Sequence, residues 1–329
     1  MTMTTRFNLI VLGILLMAVG SSGHAIAAQP HRMVKIGALT EAWGPNPAIV
    51  GLRDGLKELG YREDQDFVIG VRFTQGNPAE LPAAARELVK RGVDLIVASG
   101  GGNATKAAQA ATHRIPIVFI GESDPVGRGL VKSFAQPGGN ITGIADLETE
   151  LAPKKLEIFR ELVPGLKRVL LVYDATNAAA IERLEVYRDA TRRLGLTLVE
   201  KPVRSEEEAR ATVSGIRKGE ADGIVSPRVL SLNISGLILE IAPKRLIPTL
   251  FDEAFFVEQG ALSSYSANTF ELGRQAARLV DKILKGAKPA DLPVEQPTRF
   301  ELVINMKAAQ ALGIKIPNSI LLRATKVIQ

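Results

Sequence analysis

Ser99-Gly100-Gly101-Gly102-Asn103 is the segment of this chain best suited to hold an anion. Consecutive glycines let backbone N–H groups turn toward one point, and a helix starting just beyond adds the positive end of its dipole. The Ser99 hydroxyl and the Asn103 amide add donors. The spacing Gly-x-x-x-x-Gly-Lys-Ser/Thr of a phosphate loop is absent, as is Gly-x-Gly-x-x-Gly. A tight turn that uses its glycines only for backbone geometry is the plainer alternative. Trp43 is the only tryptophan and stands beside Pro45 and Pro47 in a polar-flanked loop. Such an aromatic can stack on a planar ligand or simply pack on its own lobe. Tyr173 has a similar case.

Catalysis finds little to work with. Beyond the N-terminal segment the histidines are His31 and His113, and neither has partners at metal-ligand spacing. No Gly-x-Ser-x-Gly elbow occurs. Asp124 and Asp174 could face each other as an acid pair, but without a nucleophile or base, hydrogen-bonding roles suit them better. Asp124 precedes Pro125, a context that forms turns. No enzyme activity, metal or cofactor is expected.

The elements that must position these residues alternate between short β-branched runs and longer helical patterns. Strands are predicted at 33–39, 67–73, 94–98 and 117–120, with helices over 47–59, 78–91 and 104–112 between them. Pro137-Gly138-Gly139-Asn140-Ile141-Thr142-Gly143 reads as a break, after which the alternation resumes. Helices are predicted over 153–162, 178–194 and 205–218, and strands at 168–173, 197–200, 223–225, 247–251 and 261–265. A helix over 270–284, a Pro-rich extended segment over 289–297, a strand at 300–304 and a helix over 306–312 follow. Such alternation implies helices on both faces of mostly parallel sheets. Two units of similar length argue for two lobes, against the alternative of one large doubly wound sheet.

In open parallel sheets ligands bind beyond the carboxyl ends of the strands. Those places hold Thr40, Glu41 and Trp43; Ser99, Gly100, Gly101 and Asn103; and Ser123 and Asp124 in the first unit. In the second they hold Tyr173, Asp174 and Asn177; Ser226 and Arg228; and Phe251. These are the candidate ligand-binding residues.

The N-terminus carries Arg6, then an apolar stretch from Phe7 to Val19, then Ala25-Ile26-Ala27-Ala28. Charge, apolar run and small residues are the parts of a signal peptide. The run is shorter than the roughly 20 residues of a spanning helix. Residues 1–28 are therefore expected to be removed on export to the periplasm. There is no cysteine among the 329 residues, so neither a lipid anchor on Cys nor a disulfide is available. A formal charge of +6 is mild for this length and is scattered among acidic residues, which speaks against nucleic-acid binding.

Several stretches carry a resemblance. They are Ile115-Pro116-Ile117-Val118-Phe119, Asp124-Pro125-Val126-Gly127 with Gly129-Leu130-Val131, the Pro137–Gly143 run, and the run from Val280 to Pro297. With them the chain resembles the ABC transporter substrate-binding protein family that includes tryptophan- and tyrosine-binding members. The resemblance extends from Lys35-Ile36-Gly37 to the C-terminus. It implies an α/β fold of the type I periplasmic-binding-protein kind, with two doubly wound lobes, three crossing strands and a ligand cleft between them. Lobe 1 is expected over 33–143 and 270–297, and lobe 2 over 144–269 and 298–329. It also implies a membrane permease and a cytoplasmic ATPase as partners.

In amino-acid-binding relatives the loop matching Ser99 to Asn103 holds the ligand carboxylate. The loop matching Ser226-Pro227-Arg228 usually supplies an acid to the ammonium group. This chain has no acid there, and Arg228 has the opposite sign. The expected ligand is therefore a small organic carboxylate, aromatic in character and lacking an α-amino group. An amino acid of the Trp/Tyr type is the alternative ligand. A further departure is Ala261-Leu262-Ser263-Ser264-Tyr265-Ser266, where relatives commonly read Gly-Leu-Met-Ser-Tyr-Gly. A periplasmic sensor module reporting to a membrane receptor is the alternative role.

Overall fold

The computed structural model describes residues 32–42, 44, 46–100, 102–217, 219–227 and 231–329. The expected signal peptide, Trp43, Gly101 and Arg228 lie outside the described residues. The first half runs β1 (Val34–Thr40), α1 (Pro47–Glu58), β2 (Phe67–Phe73), α2 (Leu81–Lys90), β3 (Leu95–Ser99), α3 (Gly102–Ala111), β4 (Ile117–Glu122) and β5 (Ile141–Ala145). It continues with α4 (Ala152–Leu162), β6 (Arg168–Asp174), α5 (Ala178–Arg193), β7 (Thr197–Val203), α6 (Glu206–Ser214), β8 (Gly223–Ser226) and α7 (Ile234–Ile241). Then come β9 (Thr249–Phe251), α8 (Ala254–Glu258), β10 (Ser263–Ala267), α9 (Thr269–Leu284), β11 (Phe300–Asn305), α10 (Met306–Ala311), α11 (Asn318–Arg323) and β12 (Lys326–Ile328).

The strands form two sheets, not one. The first has the order β2-β1-β3-β4-β5 and is parallel throughout. The second has the order β12-β11-β10-β9-β8-β6-β7, with a single antiparallel pairing between β10 and β11. Strand residues alternate between two apolar layers, so both faces need helical cover. Ile36 and Ala38 pack with residues of α1 and α9, whereas Leu39 packs with residues of α2 and α3. In the second sheet Val169 and Leu171 join the layer of α4 and α5, and Leu170 and Val172 that of α6 and α7. This is a bilobed fold of the type I periplasmic-binding-protein kind.

The chain passes between the sheets after β5, at Asn268 between β10 and α9, and between Glu295 and β11. The segment read as a Gly-rich break is in fact where β5 forms, and β5 continues past 143 to Ala145. Gly143 belongs there because a Cβ would lie 2.3 Å from the Phe119 carbonyl oxygen, so the glycine marks a close approach and not a loop. The extended segment after α9 then adds to the edge of β5, with Ala145 N donating to Glu295 O (2.9 Å) and Glu295 N to Gly143 O (3.0 Å). Helix α7 was not foreseen; its run Ile234 to Ile241 is apolar on most sides and lacks helical periodicity.

Helix α1 starts at Asn46, whose side chain accepts from Ala48 N, with Pro47 in the first turn. It lies parallel to α9 at unusually short range. A Cβ at Gly51 would be 1.9 Å from Phe270 O, and one at Gly273 would be 2.0 Å from Ala48 O. Each contact is backbone against backbone, so no side chain can yield. Gly51→Ala should therefore destabilise the protein by about 3 kcal/mol. Gly70→Ala, whose methyl would meet open space, should stay within about 0.5 kcal/mol of wild type. Urea unfolding of both variants checks this.

Candidate functional site

The carboxyl ends of the strands hold a framework of short polar bonds. Asn46 Nδ2 donates to Thr40 Oγ1 (3.1 Å) and to Ser99 Oγ (3.3 Å), tying the ends of β1 and β3 to the start of α1. Thr40 and Ser99 are thus buried supports of the loops above them. Gly100 follows at φ +97, the left-handed backbone that a glycine tolerates best. Asp174 Oδ1 accepts from Thr176 N (2.8 Å) and Thr176 Oγ1 (2.6 Å), fixing the β6–α5 turn. Asn177 Oδ1 accepts from Ala180 N (3.3 Å) at the head of α5.

Four of the sequence-derived candidates line one cavity. Glu41 and Asn103 come from the first lobe, and Asp174 and Asn177 from the second. The volume is about 490 Å³, with Lys106 at its edge and an apolar wall that includes Leu81, Pro82 and Ala107. Glu41 is only 6% exposed. Burial pushes its carboxyl above the usual range, against a hydrogen bond with Asn103 and the positive charge of Arg128.

The other candidates sit elsewhere. Ser123 Oγ donates to Asp146 Oδ1 (2.9 Å) in the segment that leaves the first lobe. Asp124 Oδ1 accepts from Gly127 N (2.8 Å), the turn role its proline neighbour suggests. Ser226 Oγ lies 3.0 Å from Ser235 Oγ and joins β8 to α7. Tyr173 is half-buried and packs against the core of the second lobe. Phe251 is fully buried in that lobe, its ring 4.6 Å from that of Phe256 and stacked on it. That ring packs as core rather than lying open beside the cleft.

Two groups of charges at the same strand ends escaped the sequence reading. Lys155 is 1% exposed, and its Nζ donates to Asp252 Oδ1 (2.6 Å) and to Glu148 Oε1. Burial pushes Glu148 up to about 8, with the negative charges of Asp252 and Asp146 adding and Lys155 opposing. Burial alone would also raise Asp252, but the Lys155 charge and a hydrogen bond from Glu148 carry it below its usual range. One proton stays on Glu148 while Asp252 carries the charge that balances Lys155. The signal was present in the register: Lys155 shares its helical face with Ile158, Phe159 and Leu162, all buried.

The second group is Glu122 and Arg128. Glu122 ends β4 and is buried, with Oε1 3.5 Å from Arg128 Nε. Among the described residues its Oε2 has no hydrogen-bond partner, and neither does Arg128 Nε. Burial raises Glu122 to about 7; Arg128 and Lys106 oppose, while Asp146 and Asp124 add to the rise. The Arg128 guanidinium lies across Gly102, where a Cβ would come within 2.2 Å of its Cζ.

A sequence profile described as "ABC transporter substrate binding protein" matches residues 34–328. The chain belongs to that family, whose members bind and release solutes and transform nothing. It is 27% identical over 289 residues to a tyrosine-binding protein of Clostridioides difficile, covering 88% of this chain and 83% of that protein. A conserved domain protein of Vibrio cholerae superposes with a TM-score of 0.82 at 30% identity, covering 90% of this chain and 100% of that one. The ABC domain in complex with L-Trp from Streptococcus pneumonia gives 0.81 at 30% identity, with the same coverage. A ligand-free, open substrate-binding protein from Clostridium difficile gives 0.66 at 25% identity, again covering 90% of this chain and 100% of that one. The chain is thus a solute-binding protein of the ABC-importer type, related to binders of aromatic amino acids. Family membership carries an extracytoplasmic role with a permease and an ATPase as the usual partners.

Two outcomes follow from the buried charges. Lys155→Met should cost about 3–5 kcal/mol near neutral pH by leaving the Asp252 carboxylate buried without its cation. The deficit should shrink toward about pH 5 as that carboxylate takes up a proton, which urea midpoints across pH will show. Glu122 has a folded pKa above its unfolded one, so its stabilising proton is fully bound below the unfolded value of 4.5 and lost as pH rises through about 7. Glu122→Gln should therefore gain melting temperature relative to wild type as pH goes from about 5 to about 8.

Proposed function

We propose that this chain captures an α-amino acid with an aromatic or similarly apolar side chain between its lobes and delivers it to an ABC permease and ATPase after export to the periplasm. The single observation that carries this reading is the cavity lined by Glu41 and Asn103 from one lobe and Asp174 and Asn177 from the other. The sequence argument against an α-amino group rested on the missing acid at 226–228. Glu41 and Asp174 supply acids from other strands, so an ammonium group need not be buried unpaired. The glycine-rich start of α3 is suited to the carboxylate, and the apolar wall to a side chain. A volume of about 490 Å³ falls in the range of small-molecule sites. The tyrosine-binding relative and the L-Trp complex support the same class of ligand.

Binding is reversible capture. The lobes close, polar groups from both sides replace the ligand's water, and the closed form docks on the permease. A thermal-shift screen of refolded protein against the standard amino acids, indole-3-acetate, 4-hydroxyphenylacetate and short dicarboxylates tests the reading. At about 100 times its dissociation constant an aromatic amino acid should raise the melting temperature by about 5 °C or more. The matching acid without the amine should do much less. Equal or larger shifts from the aromatic acids alone would restore a ligand without an α-amino group and overturn the proposal.

A further inference from the structure

We propose that Arg128 binds the ligand's carboxylate, with its guanidinium lying across Gly102 beside Glu122. This rests on the reading that the cleft accepts a carboxylate. It adds a residue that neither the sequence motifs nor the cavity lining singled out.

The described residues satisfy the polar groups around Arg128 and Glu122 only in part. Arg128 is a cation held at the first residue of α3, where the helix dipole already presents positive charge. Its side chain is 15% exposed, so water screens it little. Glu122, at 3% side-chain exposure, is close enough to pair, yet at 3.5 Å the Nε-to-Oε1 contact makes no hydrogen bond. Among the described residues, a buried donor on Arg128 and a buried acceptor on Glu122 are therefore left over side by side. Buried polar groups without partners are costly and rare in a settled core.

An incoming carboxylate would change the balance. It would place negative charge where guanidinium N–H groups and the first N–H groups of α3 converge, and planar guanidinium suits two carboxylate oxygens. Glu41, hydrogen-bonded to Asn103 one residue along α3, already feels the Arg128 charge. The Arg128 locus therefore adjoins the proposed ligand cavity. Glycine at 102 is what admits the guanidinium, since any Cβ would overlap it. The rival cation is Lys106, which lines the cavity but is exposed and so is screened by water.

Isothermal titration with L-tryptophan against tryptamine, and L-tyrosine against tyramine, tests the assignment in wild type, Arg128→Gln, Arg128→Lys and Lys106→Gln. Arg128→Gln should weaken the better-bound amino acid by about 100-fold. The corresponding amine, which has no carboxylate, should change by no more than about 2-fold. Arg128→Lys should fall between, and Lys106→Gln should cost the amino acid less affinity than Arg128→Gln does. Melting curves verify folding of each variant. If Arg128→Gln does not fold, Gly102→Ala pushes the guanidinium aside while keeping the arginine, and should give the same selective loss. Amino-acid affinity unchanged in Arg128→Gln, equal loss for acid and amine, or a loss confined to Lys106→Gln would each overturn the inference. If wild type binds neither amino acid, the reading of the cleft itself falls, a failure visible before any variant is compared.

Discussion

Charge taken out of water at the ends of the strands is the constraint on which the rest of this structure depends. Glu41, Glu122, Asp146, Glu148, Lys155 and Asp252 are all buried at or near the carboxyl edges of the two sheets. A buried ion is tolerated only with a partner close by. Around Lys155 the partners are internal, and the trio is bound into one unit with Glu148 keeping its proton. Around Arg128 the pairing is incomplete, and polar atoms are left over among the described residues.

The fold explains why both groups lie together. Parallel strands deliver their loops to one edge, and two such sheets joined by three passages of the chain bring two edges to a common gap. Glu148 belongs to the first passage, while Lys155 and Asp252 belong to the second lobe. The buried trio thus fastens the crossing segment to the lobe it enters. On the other side, Ser123 hydrogen-bonds Asp146 in the same passage. A post-strand loop of the first lobe and the crossing segment are thus joined side chain to side chain.

Alternation of strand and helix made the two α/β units legible, since β-branched runs and 3/4 spacing are strong periodic signals. Gly143 misled because glycine serves loops and close approaches equally, and only the Phe119 carbonyl shows which applies. Glu41, Asn103, Asp174 and Asn177 follow strands and come together at one cavity. Thr40, Ser99, Ser226 and Phe251 follow strands too and are buried there, the first three with hydrogen-bonded hydroxyls. Glu122 and Arg128 were missed because a final strand residue and a turn residue meet only through the path of the loop between them.

The central claim is that two lobes shut on a ligand that completes the charge in the gap between them. Small-angle X-ray scattering of the chain, with and without its best-binding amino acid, addresses this directly. The account predicts a smaller radius of gyration and a shorter maximum dimension once ligand is present, reversed when ligand is removed. Superimposable profiles from a sample that demonstrably holds ligand would contradict it, because binding would then proceed without the lobes moving.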